Sequence, residues 1–414
     1  MEKNVGFRRT KLACYSSYFT MSSVFCLPAL LFTTFHERYG ISYTLLGTLV
    51  LTNFCTQLTV DLVFTFFTRF FNVKKVIRVM PLFTAAGLLI YALVPTLLPE
   101  YAYAGLLVGT VVFSVAAGLS EVLLSPVISA IPSDNPQREM SMLHALYAFG
   151  FVTVVLLSTL FLRLFGNENW VILTLLWAAM PVISTVLFCL SPMPEMDTGH
   201  GGGQKQVKGQ GMLMALFVAC IFFGSCAENA MGNWISSYME NALHIDKTLG
   251  DILGMAMFAV LLGLTRIAYA RYAKHIFCVL LAGMIGAVVC YWVAGLAAGT
   301  VAPFFACILM GMFTSMLWPG SLIIMEERIP HVGVAAFALM AAGGDLGASL
   351  APQLLGVVVD QVSASPWASH LGAELGLTAE QMGLKAGMLV SSLFPMLGIV
   401  VLVVIHFYSR RKKT

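Results

Sequence analysis

Three acidic residues lie inside long apolar stretches of the sequence, where an ionised side chain is costly. Glu121, Glu228 and Asp345 each fall near the middle of such a stretch. A carboxylate at this position is unfavourable by several kcal/mol or more unless it faces water, a partner or a ligand. We find no basic residue at the same depth, so the surplus of acids predicts a proton, a sodium ion or a cationic ligand. It argues against an anionic ligand, which would need an arginine or lysine there.

The residues that follow Glu228 add polar and aromatic groups. Asn229 and Asn233 share one face of the predicted helix because they are four residues apart, and Trp234 comes next. Amides and carboxylates bind hydroxyl groups, and an indole packs against the apolar face of a sugar ring. We therefore predict that these four residues bind substrate. The alternative is a face that hydrogen-bonds another helix.

Further polar and aromatic side chains occur inside other apolar stretches. Asn53 and Gln57 are four residues apart in the second stretch, and His144 and Tyr147 are three apart in the fifth. Trp318 lies near the middle of the tenth. We predict that all five line the same binding site. A structural role in helix packing is the alternative for His144 and Trp318.

The three mid-depth acids are the predicted proton-coupling residues. Glu121 is the first choice, since no base lies within two turns of it in its own stretch, and it is also a candidate substrate ligand. The alternative for Glu121 is a structural pair with His144 or Arg266. For Asp345, a second coupling site and a bond between two halves of the protein remain equally open.

Four charged residues near the ends of their stretches are predicted to act in gating. Asp61 precedes Arg69 by two turns, and Arg266 precedes Arg271 in the corresponding place of the second half. An acid shortly before a basic turn is typical of a contact that closes one face of a helical bundle. We therefore expect a gating or structural role for this set.

The apolar stretches that position these residues predict an all-α integral membrane protein. Hydrophobic residues make up 59% of the 414 residues and charged residues 10%, against about 25% charged in soluble domains. A bilayer core needs roughly 20 apolar residues to be crossed as a helix. Twelve stretches meet this length, and they are residues 12–35, 43–68, 76–98, 101–131, 141–165, 168–191, 212–240, 248–272, 276–298, 301–327, 332–360 and 384–408.

Lysine and arginine are distributed unevenly between the connections. With the N-terminus inside, eighteen lie in inside segments and four in outside segments. This asymmetry predicts that both termini are cytoplasmic. A glycine-rich polar linker, 192–211, separates two predicted six-helix bundles, 1–191 and 212–414. Two such halves with a site between them are typical of one large group of secondary transporters.

Other motifs add local detail. Thr378 and Gln381 fit a capping box that would begin the twelfth helix, and the stretch before them fits a short surface helix. All nine cysteines lie inside apolar stretches without metal-ligand spacing. The sequence also carries no phosphate-binding loop and no HExxH motif. We therefore expect neither an enzyme, a cofactor nor a metal, and the charge pattern does not predict a nucleic-acid partner.

Four short segments resemble a known family. They are Gly118-Leu119-Ser120-Glu121, Leu143-His144-Ala145-Leu146-Tyr147-Ala148-Phe149-Gly150, Glu228 with Trp234, and Gly343-Gly344-Asp345-Leu346-Gly347. The chain resembles the major facilitator superfamily and, more narrowly, its fucose permease-like sugar:proton symporters. The resemblance implies proton coupling and sugar binding at Glu121.

The sequence departs from that family in two places. The first stretch, 13–35, contains no acid, whereas the fucose permease itself uses one there. Of the superfamily motif after the second span, Asp61, Arg69 and the pair Lys74-Lys75 remain. We expect import of a small neutral solute, a sugar or sugar derivative, with a proton by alternating access.

Two other functions stay open. One is proton-coupled export of lipophilic cations, and the other is a sugar facilitator or receptor without ion coupling. The expected setting is the bacterial inner membrane, with the protein as a monomer in the lipid bilayer.

Overall fold

The computed structural model describes residues 7–67, 70–132, 136–194, 211–272, 275–329 and 334–411. Within these ranges the chain forms helices and short connections, and no strand is assigned. The first seven α-helices are α1 (Arg8–Leu30), α2 (Phe32–Tyr39), α3 (Tyr43–Phe67), α4 (Val73–Leu97), α5 (Ala102–Ala130), α6 (Pro136–Phe165) and α7 (Trp170–Cys189).

The remaining helices follow the linker region. They are α8 (Gly211–Ser237), α9 (Lys247–Leu249), α10 (Met257–Tyr272), α11 (Ile276–Leu296), α12 (Val301–Thr314), α13 (Leu317–Arg328), α14 (Val334–Ser363), α15 (Pro366–Leu375), α16 (Ala379–Ser391) and α17 (Leu393–Arg411). Two π-helical segments, Tyr238–Ala242 and Gly250–Ala256, extend α8 and connect α9 to α10.

The predicted all-helical membrane architecture is confirmed. In the described part of the chain, ten helical segments are long and apolar enough to cross a bilayer. The pair α1 and α2, bent by 47°, meets the same criteria when its two helices are taken together, and the shorter apolar segment Phe149–Phe165 lies within the predicted fifth stretch. These twelve segments correspond in order to the twelve apolar stretches of the sequence.

The chain divides into two compact units. One unit contains Met1–Ile41 and Thr52–Gly201, and the other contains Ser42–Leu51 and Gly202–Thr414. The first turns of α3 therefore group with the second unit. Most of the predicted linker, 195–210, lies outside the described residues, so the predicted boundaries 1–191, 192–211 and 212–414 stay a prediction.

A carboxylate of the second unit holds the start of α3. The backbone N–H groups of Tyr43 and Thr44 donate to the two carboxylate oxygens of Asp360, at 3.1 and 2.6 Å. The first N–H groups of a helix have no partner within the helix, so a carboxylate at this end satisfies them and interacts favourably with the helix dipole. Asp360 thus fixes where α3 begins.

Small residues allow α8 and α14 to approach closely. A Cβ atom on Gly347 would lie 2.4 Å from the carbonyl oxygen of Phe222, so a glycine is required at this crossing. The contact places Asp345 of α14 near the helix that carries Glu228.

The predicted capping box is confirmed. The Thr378 hydroxyl accepts from the Gln381 backbone N–H at 3.1 Å, and the Gln381 side chain accepts from the Thr378 N–H at 2.8 Å. The short helix expected before it is α15, which ends at a left-handed glycine, Gly376. Both motifs are local, which is why they are predictable from a few residues.

Candidate functional site

Glu228 and Arg266 form an ion pair inside the second unit. Arg266 Nη2 lies 3.6 Å from Glu228 Oε1, and the two side chains are 42% and 21% exposed. The sequence predicts Glu228 to be a mid-depth acid without a base and Arg266 to lie nearer the inside face. That premise is wrong, because the long side chain of Arg266 on α10 reaches the carboxylate on α8.

Arg266 is held by a carbonyl at a helix break. Its Nε donates to the Ser315 carbonyl oxygen at 2.8 Å, in the two-residue interruption between α12 and α13. In an unbroken helix that carbonyl would accept from the residue four positions later, but this residue is Pro319, which has no N–H. The missing hydrogen bond leaves the Ser315 oxygen available to the guanidinium.

Asn229 and Asn233 use their amide N–H groups on their own helix. Asn229 Nδ2 donates to the Ser225 carbonyl oxygen at 3.1 Å, and Asn233 Nδ2 donates to the Asn229 carbonyl oxygen at 2.9 Å. Both side chains are half-buried. Among the described residues no donor is assigned to either Oδ1, so these oxygens can accept from a hydroxyl.

Trp318 lies against α14 next to Asp345. A Cβ on Gly344 would lie 2.2 Å from the six-membered ring of Trp318, so the absence of a side chain at Gly344 sets the position of the indole. Trp318 and Asp345 are both half-buried. The Trp318 ring therefore packs against Gly344, the residue that precedes Asp345 in α14.

Trp234 is a core residue in this structure. Its side chain is fully buried, its Nε1 donates to the Pro352 carbonyl oxygen at 3.1 Å, and its ring packs against Tyr43 at 5.5 Å. The predicted contact with substrate stays a prediction, and it would require this indole to be uncovered.

In the first unit, Asn53 and Gln57 form a buried hydrogen-bonded cluster. Gln57 Nε2 donates to Asn53 Oδ1 at 2.9 Å, and Ser114 Oγ of α5 donates to the same oxygen at 2.6 Å. One turn further along α5, a Cβ on Gly118 would lie 3.2 Å from Gln57 Cα. The cluster and the glycine hold α3 and α5 in contact and in register.

Asp61 on α3 and Glu121 on α5 come soon after this contact. Both follow the contact at Gly118 by about one turn, and their carboxyl groups interact electrostatically. Asp61 Oδ1 is buried without a hydrogen-bond partner among the described residues, whereas Glu121 is exposed. The ion pairs found in the described part of the chain involve neither acid. The alternative of a structural pair between Glu121 and His144 or Arg266 stays a prediction.

The other predicted residues are described only in part. Tyr147 is half-buried, with its ring 5.7 Å from that of Phe25. His144 and Arg271 belong to α6 and α10, but their side chains lie outside the described set, and Arg69 lies outside it entirely. Their predicted roles in binding and gating stay predictions.

Three contributors to these clusters were not predicted. Ser114 and Ser225 are single hydroxyl residues in apolar helices, and the sequence gives no signal for their partners. The Ser315 carbonyl did have a signal, namely a proline four residues later. A proline can therefore leave a backbone carbonyl free to bind a partner, and such a group is not recognised when only side chains are considered.

A comparison of the sequence with models of protein families identifies the family of this chain. No curated protein matches the chain. The family model described as "Major Facilitator Superfamily" matches residues 13–352. The chain belongs to the Major Facilitator Superfamily. This superfamily member is therefore a multi-pass membrane transporter and not an enzyme, as predicted.

Solved structures share the fold of this superfamily member at low sequence identity. A bacterial homolog of the human lysosomal transporter Spinster has a TM-score of 0.75 at 11% identity, with 96% of each chain covered. A D-xylose-proton symporter has a TM-score of 0.70 at 13% identity, covering 94% of this chain and 97% of the other. The E. coli fucose:proton symporter has a TM-score of 0.59 at 13% identity, covering 97% and 99%. These likenesses establish the fold.

Proposed function

We propose that this transporter imports a small sugar-like solute together with a proton by alternating access. The observation that carries the proposal is the pair Asp61 and Glu121, which each lie about one turn past the contact between α3 and α5 at Gly118 and which interact electrostatically. Two neighbouring carboxylates in an apolar bundle repel each other, and one proton shared between them removes that repulsion. A proton bound on one side and released on the other can drive a solute uphill.

The second unit supplies the proposed substrate contacts. Glu228, Asn229 and Asn233 lie on α8 with oxygen atoms that can accept from hydroxyl groups, and Trp318 offers a half-buried ring. Sugars combine hydroxyl donors with an apolar ring face, so they fit this set of groups. We assign Asn53, Gln57 and Trp234 a supporting role, because all three are buried and hydrogen-bonded within the protein.

Two sugar–proton symporters among the proteins that share the fold support this choice. The lysine and arginine distribution supports a bacterial cytoplasmic membrane location with both termini inside. We further propose that the transporter works as a monomer, in which residues 1–191 and 212–414 rock against each other.

The test is transport in liposomes by a Glu121→Gln variant. An amide cannot carry the proton, so we expect accumulation against a gradient to fall to background while exchange of substrate across the membrane continues. Glu100→Gln is the matched control, since Glu100 is an exposed acid in the short helix Pro99–Tyr101. Accumulation by Glu121→Gln at the rate of this control would contradict the proposal.

A thermal-shift panel of sugars, polyols, nucleosides and lipophilic cations identifies the substrate class. Stabilisation by a narrow group of sugars supports import. Stabilisation by assorted cations and by no sugar would favour proton-coupled export of lipophilic cations. Sugar binding without exchange in liposomes would favour a receptor.

A further inference from the structure

We propose that the solute carries a carboxylate, which Arg266 binds in exchange for Glu228. The inference rests on the proposed function and names its substrate class: a sugar acid in place of a neutral sugar. The sequence argues against an anion because it shows no basic residue at mid-depth, but the structure supplies one in Arg266.

Most of the hydrogen-bonding capacity of Arg266 is unused. A guanidinium has five N–H groups, and in the described part of the chain Arg266 donates one, from Nε to the Ser315 carbonyl. Its 3.6 Å separation from Glu228 is too long for an N–H···O hydrogen bond. The four N–H groups of Nη1 and Nη2 are therefore available.

The hydrogen bond from Arg266 Nε to the Ser315 carbonyl oxygen favours a ligand with a planar acceptor group. Nε is anchored to the Ser315 oxygen, so the edge formed by Nη1 and Nη2 is the part of the guanidinium that remains for a ligand, and Glu228 lies beside it without a hydrogen bond. Two parallel N–H groups on such an edge match the two oxygens of a carboxylate. A hydroxyl group would engage only one of them.

The pair opens towards water. Arg266 is 42% exposed and Glu228 21%, and an arginine facing lipid at this depth would be strongly unfavourable. The exposed side must therefore meet an aqueous surface from which a solute can arrive. Asn229, the next residue after Glu228, and Trp318, one turn after Ser315, supply the hydroxyl acceptor and the apolar ring.

Binding of a solute carboxylate should be accompanied by uptake of a proton, because the site then stays electrically neutral. Arg266 and Glu228 are neutral as a pair, and a bound carboxylate would add one negative charge. Protonation of the Glu228 carboxylate restores neutrality and leaves Arg266 paired with the solute. The helices packed near this pair carry further described charged residues, namely Asp345 on α14 and Glu327 and Arg328 on α13. Binding should therefore be stronger in acidic buffer and weaker in alkaline buffer.

The experiment measures thermal stabilisation of the purified transporter by three matched ligands. These are a hexuronic acid, its methyl ester and the parent neutral hexose. The acid and its ester have the same ring hydroxyls, so a difference between them reports the carboxylate. We expect stabilisation by the acid alone, and more of it in acidic buffer.

Substitutions of Arg266 and Glu228 test whether this ion pair is responsible for the stabilisation by the acid. Arg266→Gln should weaken binding of the acid by about tenfold or more, since a hydrogen bond to a charged group contributes about 1.5–3 kcal/mol. Arg266→Lys keeps the charge without the planar edge and should bind weakly, and Glu228→Gln should bind the acid with little dependence on pH. Arg9→Gln removes an exposed arginine near the N-terminus and serves as the control.

The outcomes separate the two proposals. Equal stabilisation by acid, ester and hexose would overturn the inference and leave sugar import standing, as would unchanged acid binding in Arg266→Gln. Stabilisation by no sugar or sugar acid would remove both proposals. Should Arg266→Gln fail to fold, the comparison of acid with ester on the unmodified protein still decides.

Discussion

Several polar side chains inside the helices donate their amide N–H groups to their own helix, which leaves their oxygen atoms available to accept hydrogen bonds from other partners. Asn229, Asn233 and Gln57 each donate an amide N–H to a group on their own helix. Such bonds satisfy the donor in a setting where an unpaired N–H is costly. The surface left on α8 is therefore rich in oxygen acceptors, and Arg266 is the complementary source of donors. A solute with both hydroxyls and a carboxylate fits both.

The capping box gives a prediction at the scale of one residue. Thr378→Ala removes the hydroxyl that accepts from Gln381 N, so α16 loses its N-cap. We expect a loss of about 1 kcal/mol of stability, since this is the usual contribution of such a cap. The measurement is the thermal unfolding midpoint in detergent. Thr378→Ser retains the hydroxyl and should match the unmodified protein; equal midpoints for Ala and Ser would contradict the prediction.

At the scale of helices, length and composition predict the architecture. Every apolar stretch is recognisable because a span must be long and continuous, and the capping box is recognisable because its two residues are only three positions apart in sequence. The partner of Glu228 is not predictable in this way, since Arg266 lies on another helix and its depth was estimated from the backbone alone. Trp234 was expected at a site because of its neighbours in sequence. Periodicity does not show which face of an apolar helix is covered, and here Trp234 lies on a covered face.

The crossing of α8 and α14 gives a prediction at this scale. Gly347→Ala would place a Cβ 2.4 Å from a backbone oxygen, so the helices must separate, at about 1–3 kcal/mol for overpacking. We expect a lower thermal unfolding midpoint. Gly263→Ala is the control, because no atom lies within 4 Å of its added Cβ, and alanine is the better helix former. A midpoint for Gly347→Ala equal to that of the control would show that the crossing tolerates a methyl group.

At the scale of the whole molecule, the twelve segments imply an orientation that can be measured. Fusions to green fluorescent protein and to alkaline phosphatase, placed after Thr414 and in the connection at Gly376, report on the two sides. The excess of lysine and arginine in the inside segments predicts fluorescence and no phosphatase activity at the C-terminus. At Gly376 the reverse is expected. Phosphatase activity at Thr414 would invert the orientation and, with it, the proposed direction of import.

The carboxylate that holds the start of α3 also has a consequence for biosynthesis. Asp360 is 317 residues downstream of Tyr43, so at about 5–20 residues per second the ribosome needs roughly 15 to 60 s to supply it. During that time the first N–H groups of α3 must rely on water or on another protein. The order of assembly thus runs against the order of synthesis: an early helix is completed by a late one. A chain arrested before Asp360 would display an unfinished helix end, which is a feature that quality-control proteases and chaperones of the membrane can recognise.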